Sequence, residues 1–341
     1  MNHIFRSSIV LALCVGSQAL ASTLASDQAA NYTSWGQNQQ DQGGQGFGPW
    51  IHLFQIPTTG GFAGQFLGTA NNVDLNNAGP TAWALYSNNG GAGGSGIQKA
   101  ASLRTFTTGT MQVGQTFAIQ MENGDVRAGN GNPNNGPVDF GWVGVVLRSG
   151  TQAQEIEEPF SPFGELKGTI AVGFLGGSTE YFVYDSVSPS GRSTGVPFTT
   201  AGLNIEIAYI ATGPQVFNAE VRITPLGVPN AQTTVVPARI AGPVDTFGIY
   251  SRNAEFSDTY FNRASLTQTT PTPCDSIDFN NDGATFDPTD IDAFLSVFSE
   301  GPCIPAEATC NDIDFNNDGS LFDPCDIDSF LSVFSEGPCA C

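Results

Sequence analysis

The sequence has little positive charge and almost no histidine. Eleven Lys and Arg stand against 32 Asp and Glu, and 341 residues hold two His, for a formal net charge of −21. So few cations exclude nucleic acid and anionic membrane surfaces as partners, because both are held through Lys and Arg. His52 is the one histidine beyond residue 21, which excludes a multi-histidine metal site and leaves any Ser-His-Asp triad dependent on a single ring. Its neighbours Trp50-Ile-His-Leu-Phe54 read as a strand, so a structural histidine is expected. After residue 21 nothing approaches the ~18 uninterrupted apolar residues of a membrane helix, so no membrane insertion is expected.

What is present is unevenly distributed. Met1 to Ala21 combines a basic start (His3, Arg6), an apolar stretch from Ile9 to Val15, and the small-residue pattern Ala19-Leu20-Ala21. This reads as a signal peptide, residues 1–21, and implies a secreted protein, extracellular or associated with the cell surface. From Thr269 to Cys341 there are fifteen acids and no base, whereas Ser22 to Gln268 has seventeen acids and ten bases. Beyond Cys14, the cysteines are Cys274, Cys303, Cys310, Cys325, Cys339 and Cys341. An even number in a short exported segment indicates disulfides, with 15 pairings open to six cysteines.

The acids of the tail are patterned. Cys274-Asp-Ser-Ile-Asp-Phe-Asn-Asn-Asp-Gly283 recurs 36 residues later as Cys310-Asn-Asp-Ile-Asp-Phe-Asn-Asn-Asp-Gly319, and Phe286 to Cys303 returns as Phe322 to Cys339. This is a tandem duplication. If each copy closes on itself, Cys274 pairs with Cys303 and Cys310 with Cys339, leaving Cys325 for Cys341. Each copy opens with D-x-N-x-D-G, the start of an EF-hand-type loop, in which alternate residues aim oxygens at one hard cation and a glycine makes the sharp turn. Asp278, Asn280 and Asp282, with the carbonyl of Ala284, form the first oxygen set; Asp314, Asn316, Asp318 and Ser320 form the second. Oxygen donors without histidine favour Ca²⁺ over transition metals, so two ions are expected.

A helix is expected after each loop. Asp287 is placed as an N-cap with Pro288 at the first helical position and Asp290 three residues after the cap. Ile291, Phe294, Leu295 and Phe298 fall at helical spacing on one apolar face, and Gly301-Pro302 ends the helix. Asp323 to Pro338 repeat these signals.

These residues resemble the dockerin family, in the cysteine-containing variant found in planctomycete-type secreted proteins, over residues 274–341. The resemblance implies a small all-α module of two EF-hand-like loop-helix units about a pseudo-two-fold axis, docking a cohesin-like receptor. It also implies that Asp290 and Asp326 close the two calcium loops. Asp290 is the thirteenth residue counted from Asp278, one more than the family's usual loop: either the loop bulges or Asp287 helps to ligate, and the cap is the preferred role for Asp287. Asp287-Pro288 and Asp323-Pro324 replace the Ser-Thr pair that many dockerins present to their receptor, so receptor identity does not transfer.

Residues 22–268 read as one antiparallel β-sandwich. Phe117/Ile119/Met121, Val143/Val145/Leu147, Ile170/Val172/Phe174 and Leu203/Ile205/Ile207/Tyr209 alternate as half-buried strands, with turn signals such as Glu122-Asn-Gly124 and Leu175-Gly-Gly177 between them. The succession from Glu180 to Leu203 resembles concanavalin-type jelly rolls, implying a jelly-roll-like winding. Trp83 and Trp142, with Asp139 in a nearby Asn/Gly-rich loop, are the candidate contacts to a polysaccharide, although a Trp beside Val143-Gly-Val-Val-Leu147 also suits a core. Glu155 and Glu157 would share a strand face, the arrangement a jelly-roll glycoside hydrolase needs. Thr267-Gln-Thr-Thr-Pro-Thr-Pro273 is a short, stiff segment, with residues 269–273 as the linker. Non-catalytic glycan recognition is the expected function, with a dockerin-borne polysaccharide hydrolase as the alternative.

Overall fold

The alternating segments are strands because one set of side chains finds a common apolar interior while the other faces away. The computed structural model describes residues 21–269 apart from 37–42, 57–60, 71–74, 76–80, 89–97, 127, 129–140, 152–169, 211–215 and 255–256, and residues 274–339 apart from 307, 317–320, 323 and 336–338. Asp139, Glu155, Glu157, Asp318, Ser320, Cys341, residues 270–273 of the linker and residues 1–20 of the signal segment lie outside the described residues. Two compact units separate after Thr269.

Fifteen strands fall among the described residues of the first unit. These are β1 (Ala21–Asp27), β2 (Ile51–Gln55), β3 (Phe62–Gly68), β4 (Ala82–Asn88), β5 (Lys99–Thr105), β6 (Gln115–Asn123), β7 (Trp142–Arg148) and β8 (Ile170–Leu175). They are followed by β9 (Glu180–Tyr184), β10 (Arg192–Pro197), β11 (Leu203–Tyr209), β12 (Ala219–Pro225), β13 (Thr234–Ala238), β14 (Thr246–Arg252) and β15 (Thr259–Thr269). One sheet has the order β13-β12-β11-β6-β15-β4-β3 with β1 also on β15; the other runs β10-β9-β8-β7-β14-β5-β2. Every pairing is antiparallel, and the chain crosses between sheets at β2, β3, β5, β6, β7, β11, β14 and β15, a jelly-roll-like winding. Phe117, Ile119 and Met121 of β6 meet Val143, Val145 and Leu147 of β7 and Leu203, Ile205 and Ile207 of β11 in the interior.

Two corrections follow. Strands β7 and β14 are buried along their whole length, because the outward face of the second sheet carries its own cluster of Ala101, Trp142, Val146, Ala171, Tyr184 and Tyr250. Gly144 and Gly173 make a trough for the Trp142 indole, since a Cβ at either would come within 2.5–2.6 Å of it. Trp142 is 1% and Trp83 0% exposed. Trp83 stands among Tyr32, Trp35 and Trp50. Neither indole is open to a glycan: aromatic area of that size is held where it removes most surface from water.

In the second unit the duplication becomes symmetry. Helices α1 (Pro288–Phe298) and α2 (Pro324–Phe334) close on a core in which Phe294 and Phe330 stack at 4.2 Å, with Phe279 and Phe315 edge-on at 5.3 and 5.1 Å. Asp275 donates its N–H to the Phe315 carbonyl and Asn311 its N–H to the Phe279 carbonyl, two equivalent bonds that exchange the copies. The disulfides exchange too: Cys274 pairs with Cys339 and Cys303 with Cys310, which corrects the expectation that each copy closes on itself. Cys325 is also disulfide-bonded. Leu295 and its counterpart Leu331 are 49% and 50% exposed, so the buried face of α1 is Asp290, Ala293 and Phe294 rather than the stripe through Leu295.

Candidate functional site

The first loop turns at Asn281 (φ 55°) and Gly283 (φ 91°). Glycine meets no steric penalty there, and Asn is the side chain that best tolerates it. The Asp278 carboxylate accepts the N–H groups of Asp282 (3.0 Å) and Gly283 (2.9 Å), and Asp282 accepts that of Ala284 (2.8 Å). Asp290 is buried and accepts the Phe279 N–H at 2.9 Å and the Asp287 N–H at 3.3 Å. Burial pushes its carboxyl above the ordinary range, offset in part by those amides. Asp287 is the N-cap of a complete capping box, accepting from Thr289 N (2.8 Å) and Asp290 N (3.2 Å); a bond from the Thr289 hydroxyl holds its carboxyl below the usual range.

The donors are therefore all oxygen and come from both ends of one tight loop, as a hard cation requires. Among the described residues, no three His, Cys, Asp or Glu side chains already converge on a metal-sized point. In the second copy, Asp314 and Asn316 open the loop and Asp326 is buried at the start of α2.

On the sandwich, His52 is held between Trp50 and Phe54 with stacked rings, and its Nδ1 lies 2.7 Å from Ser102 Oγ. Burial lowers its pKa to about 4, so the ring is neutral at physiological pH. Ser102 is fully buried, so this pair belongs to the fold.

A cleft of about 290 Å³ opens at the ends of β3, β4 and β15, lined by Phe62, Tyr86, Ser87, Asn88, Ser257 and Asp258. Phe62 is 60% exposed. Its side chain, with Phe66 and Tyr86, projects from the outward face of the first sheet; Phe66 lies 6.2 Å from Tyr86 and 6.3 Å from Tyr260, ring to ring. Gly64 stands opposite Tyr86 in register, and its missing Cβ lets the phenol lie down on the strand. Burial raises the Asp258 carboxyl, and a hydrogen bond from Tyr260 lowers it again in part. Among the described lining residues Asp258 is the one carboxyl; Glu122, whose charge also acts on Tyr260, is 3% exposed. The cleft thus joins ring faces to an amide, hydroxyls and a carboxyl, at the small end of the size range for ligand sites.

These residues carry a fainter sequence signal than the tryptophans: Phe62-x-x-x-Phe66 puts two rings on one face of a strand, and Tyr86 joins them only through the pairing of β3 with β4. The proximity of Asp258 comes from the pairing of β15 with β4, which no local signal announces.

No protein-family model matches the chain, and no curated protein matches it. Solved structures similar to it include the calreticulin globular domain of T. cruzi, at 10% identity over 64% of this chain and 83% of that one with a TM-score of 0.36. The Ca²⁺/Man3GlcNAc-bound exoplasmic/lumenal domain of VIP36 matches at 7% identity over 65% and 86%, TM-score 0.35. A lectin of Bauhinia forficata in complex with GalNAc matches at 11% identity over 64% and 98%, TM-score 0.30. Among the described residues, no helix is long and apolar enough to cross a membrane.

Proposed function

We propose that this chain is a secreted, non-catalytic glycan-binding protein, anchored through a calcium-dependent dockerin-like module to a cohesin-like receptor. The observation that carries the first half is the exposed Phe62–Tyr86 surface facing Asn88, Ser257 and Asp258. Such a surface stacks on the apolar face of a sugar ring while the polar groups bind its hydroxyls. A retaining or inverting hydrolase needs a second carboxyl across the groove, and Asp258 is the single carboxyl of the described lining. A glycan screen on the full chain, with hydrolysis assayed in parallel, tests this: binding should weaken at least about tenfold in Phe62→Ala, and product release from a bound glycan would overturn the non-catalytic reading.

The second half rests on the doubled loop with its buried Asp290 and Asp326. Asp278, Asn280, Asp282, the Ala284 carbonyl and Asp290 would hold one Ca²⁺; Asp314, Asn316, Asp318, Ser320 and Asp326 would hold another. Asp278 and Asp282, whose carboxylates accept loop amides, would supply oxygens to the ion. Calorimetric titration of the full chain should give two sites, both lost in the Asp278→Ala, Asp314→Ala double variant; a wild-type chain that takes up no calcium would sink the docking assignment.

A further inference from the structure

Strand β15 changes partner halfway along. Thr259–Phe261 pair with β4, residues from Ala264 onward pair with β1, and between them the register against β6 slips at Asn262 and Ser265. The bulge is built rather than loose. Asn262 accepts the Ala29 N–H at 2.9 Å and donates to the carbonyls of Leu75 (2.8 Å) and Thr81 (3.1 Å). At its apex Arg263 is held at φ 54°, a left-handed conformation that is costly for a long side chain and cheap for Asn or Gly. Bulges of this kind re-aim a side chain.

Arg263 lines an open cleft of about 660 Å³ together with Ser26, Asp27, Gln28, Asn31, Gln45 and Ser265. Every other described Lys or Arg has a partner; the Arg263 guanidinium has none among the described residues. The nearby Asp27 carboxylate is already taken by Arg104 and Tyr32. In a chain of net charge −21, a cation with no partner among the described residues, on a strained backbone and ringed by amides and hydroxyls, is matched to a ligand that brings both a carboxylate and hydroxyl groups.

We propose that this cleft is a second saccharide site, selective for an acidic sugar, in which Arg263 forks the carboxylate of a uronate residue and Gln28, Asn31 and Gln45 bind its hydroxyls. It is separate from the Phe62 cleft, with which it shares no described lining residue. The test titrates the full-length protein with a short oligogalacturonate and with the matching neutral galactose oligomer. Wild type and Phe62→Ala should bind the acidic oligomer alike. Arg263→Asn, which suits the left-handed backbone, should weaken it at least about tenfold while its melting temperature stays level or rises. Equal binding by wild type and Arg263→Asn, or of the acidic and neutral oligomers, would overturn the proposal, as would no uptake of the acidic oligomer. A melting temperature that falls in Arg263→Asn would make the side chain structural, and equal affinity for a peptide carboxylate would reassign the cleft to a protein partner.

Discussion

Replacing Arg104 with Met should cost the sandwich about 3–5 kcal/mol, enough to lower its melting temperature by ~10 °C. Arg104 is 0% and Asp27 4% exposed. The guanidinium pairs with Asp27 and donates to the carbonyls of Gly48 (2.6 Å), Gly43 (3.2 Å) and Phe47 (3.3 Å) and to the Tyr32 hydroxyl (3.1 Å). It lies over the rings of Phe47 and Trp50 at 5.1 and 5.3 Å. Burial raises the Tyr32 phenol well above its usual value, so the hydroxyl stays protonated and donates to Asp27, while Trp50 Nε1 donates to it at 3.0 Å. One cation therefore pins residues 27–32 and 43–50 onto β5. Met fills the space but removes the cation that balances the buried Asp27 carboxylate and the donor to the Gly43, Phe47 and Gly48 carbonyls. The Arg104→Met, Asp27→Leu double variant removes both charges and should lose less than the two single changes together. A thermal melt of Arg104→Met within ~2 °C of wild type would show that the network contributes little.

Phe294→Ala should unfold the C-terminal unit altogether. The ring stacks on Phe330 at 4.2 Å with a 7° tilt and meets Phe279 and Phe315 edge-on. Truncating such a core Phe costs ~3–5 kcal/mol, which rivals the whole stability that a core this small supplies even with disulfides limiting its unfolded state. The measurable result is loss of amide protection in α1 and α2 and of the calcium heats, with the sandwich melting unchanged. Leu295→Ala, next in sequence but half exposed, should shift stability by less than ~0.5 kcal/mol. If Phe294→Ala binds calcium like wild type, the stacked pair is not the keystone of the unit.

These contrasts mark how far the residues could be read in advance. Strands such as β6 were legible because Phe117, Ile119 and Met121 announce an inward face. The start of α1 was legible because Asp287-Pro288-Thr-Asp290 is a complete local signal. Leu295 was misplaced because two neighbouring apolar residues satisfy helical spacing equally well, and only the partner helix decides between them. Trp142 was ambiguous for a related reason: alternation gives a side of the strand, and whether that side meets water depends on Gly144, Gly173 and the strands beyond. The repeat could not tell a copy that closes on itself from one that closes on its neighbour, since both pairings preserve the period. The Phe62 and Arg263 clefts join segments far apart in sequence and leave no local trace.

The exchanged cysteine pairing also bears on how the module carries load. Cys274, where the chain arrives from the sandwich, is bonded to Cys339 with their Cα atoms 5.6 Å apart, so both ends of the module hang from one covalent knot. A pull arriving through the linker cannot peel away the first loop and then its helix in sequence, because the far end of the second repeat holds the point of entry. Tension passes directly into both repeats at once.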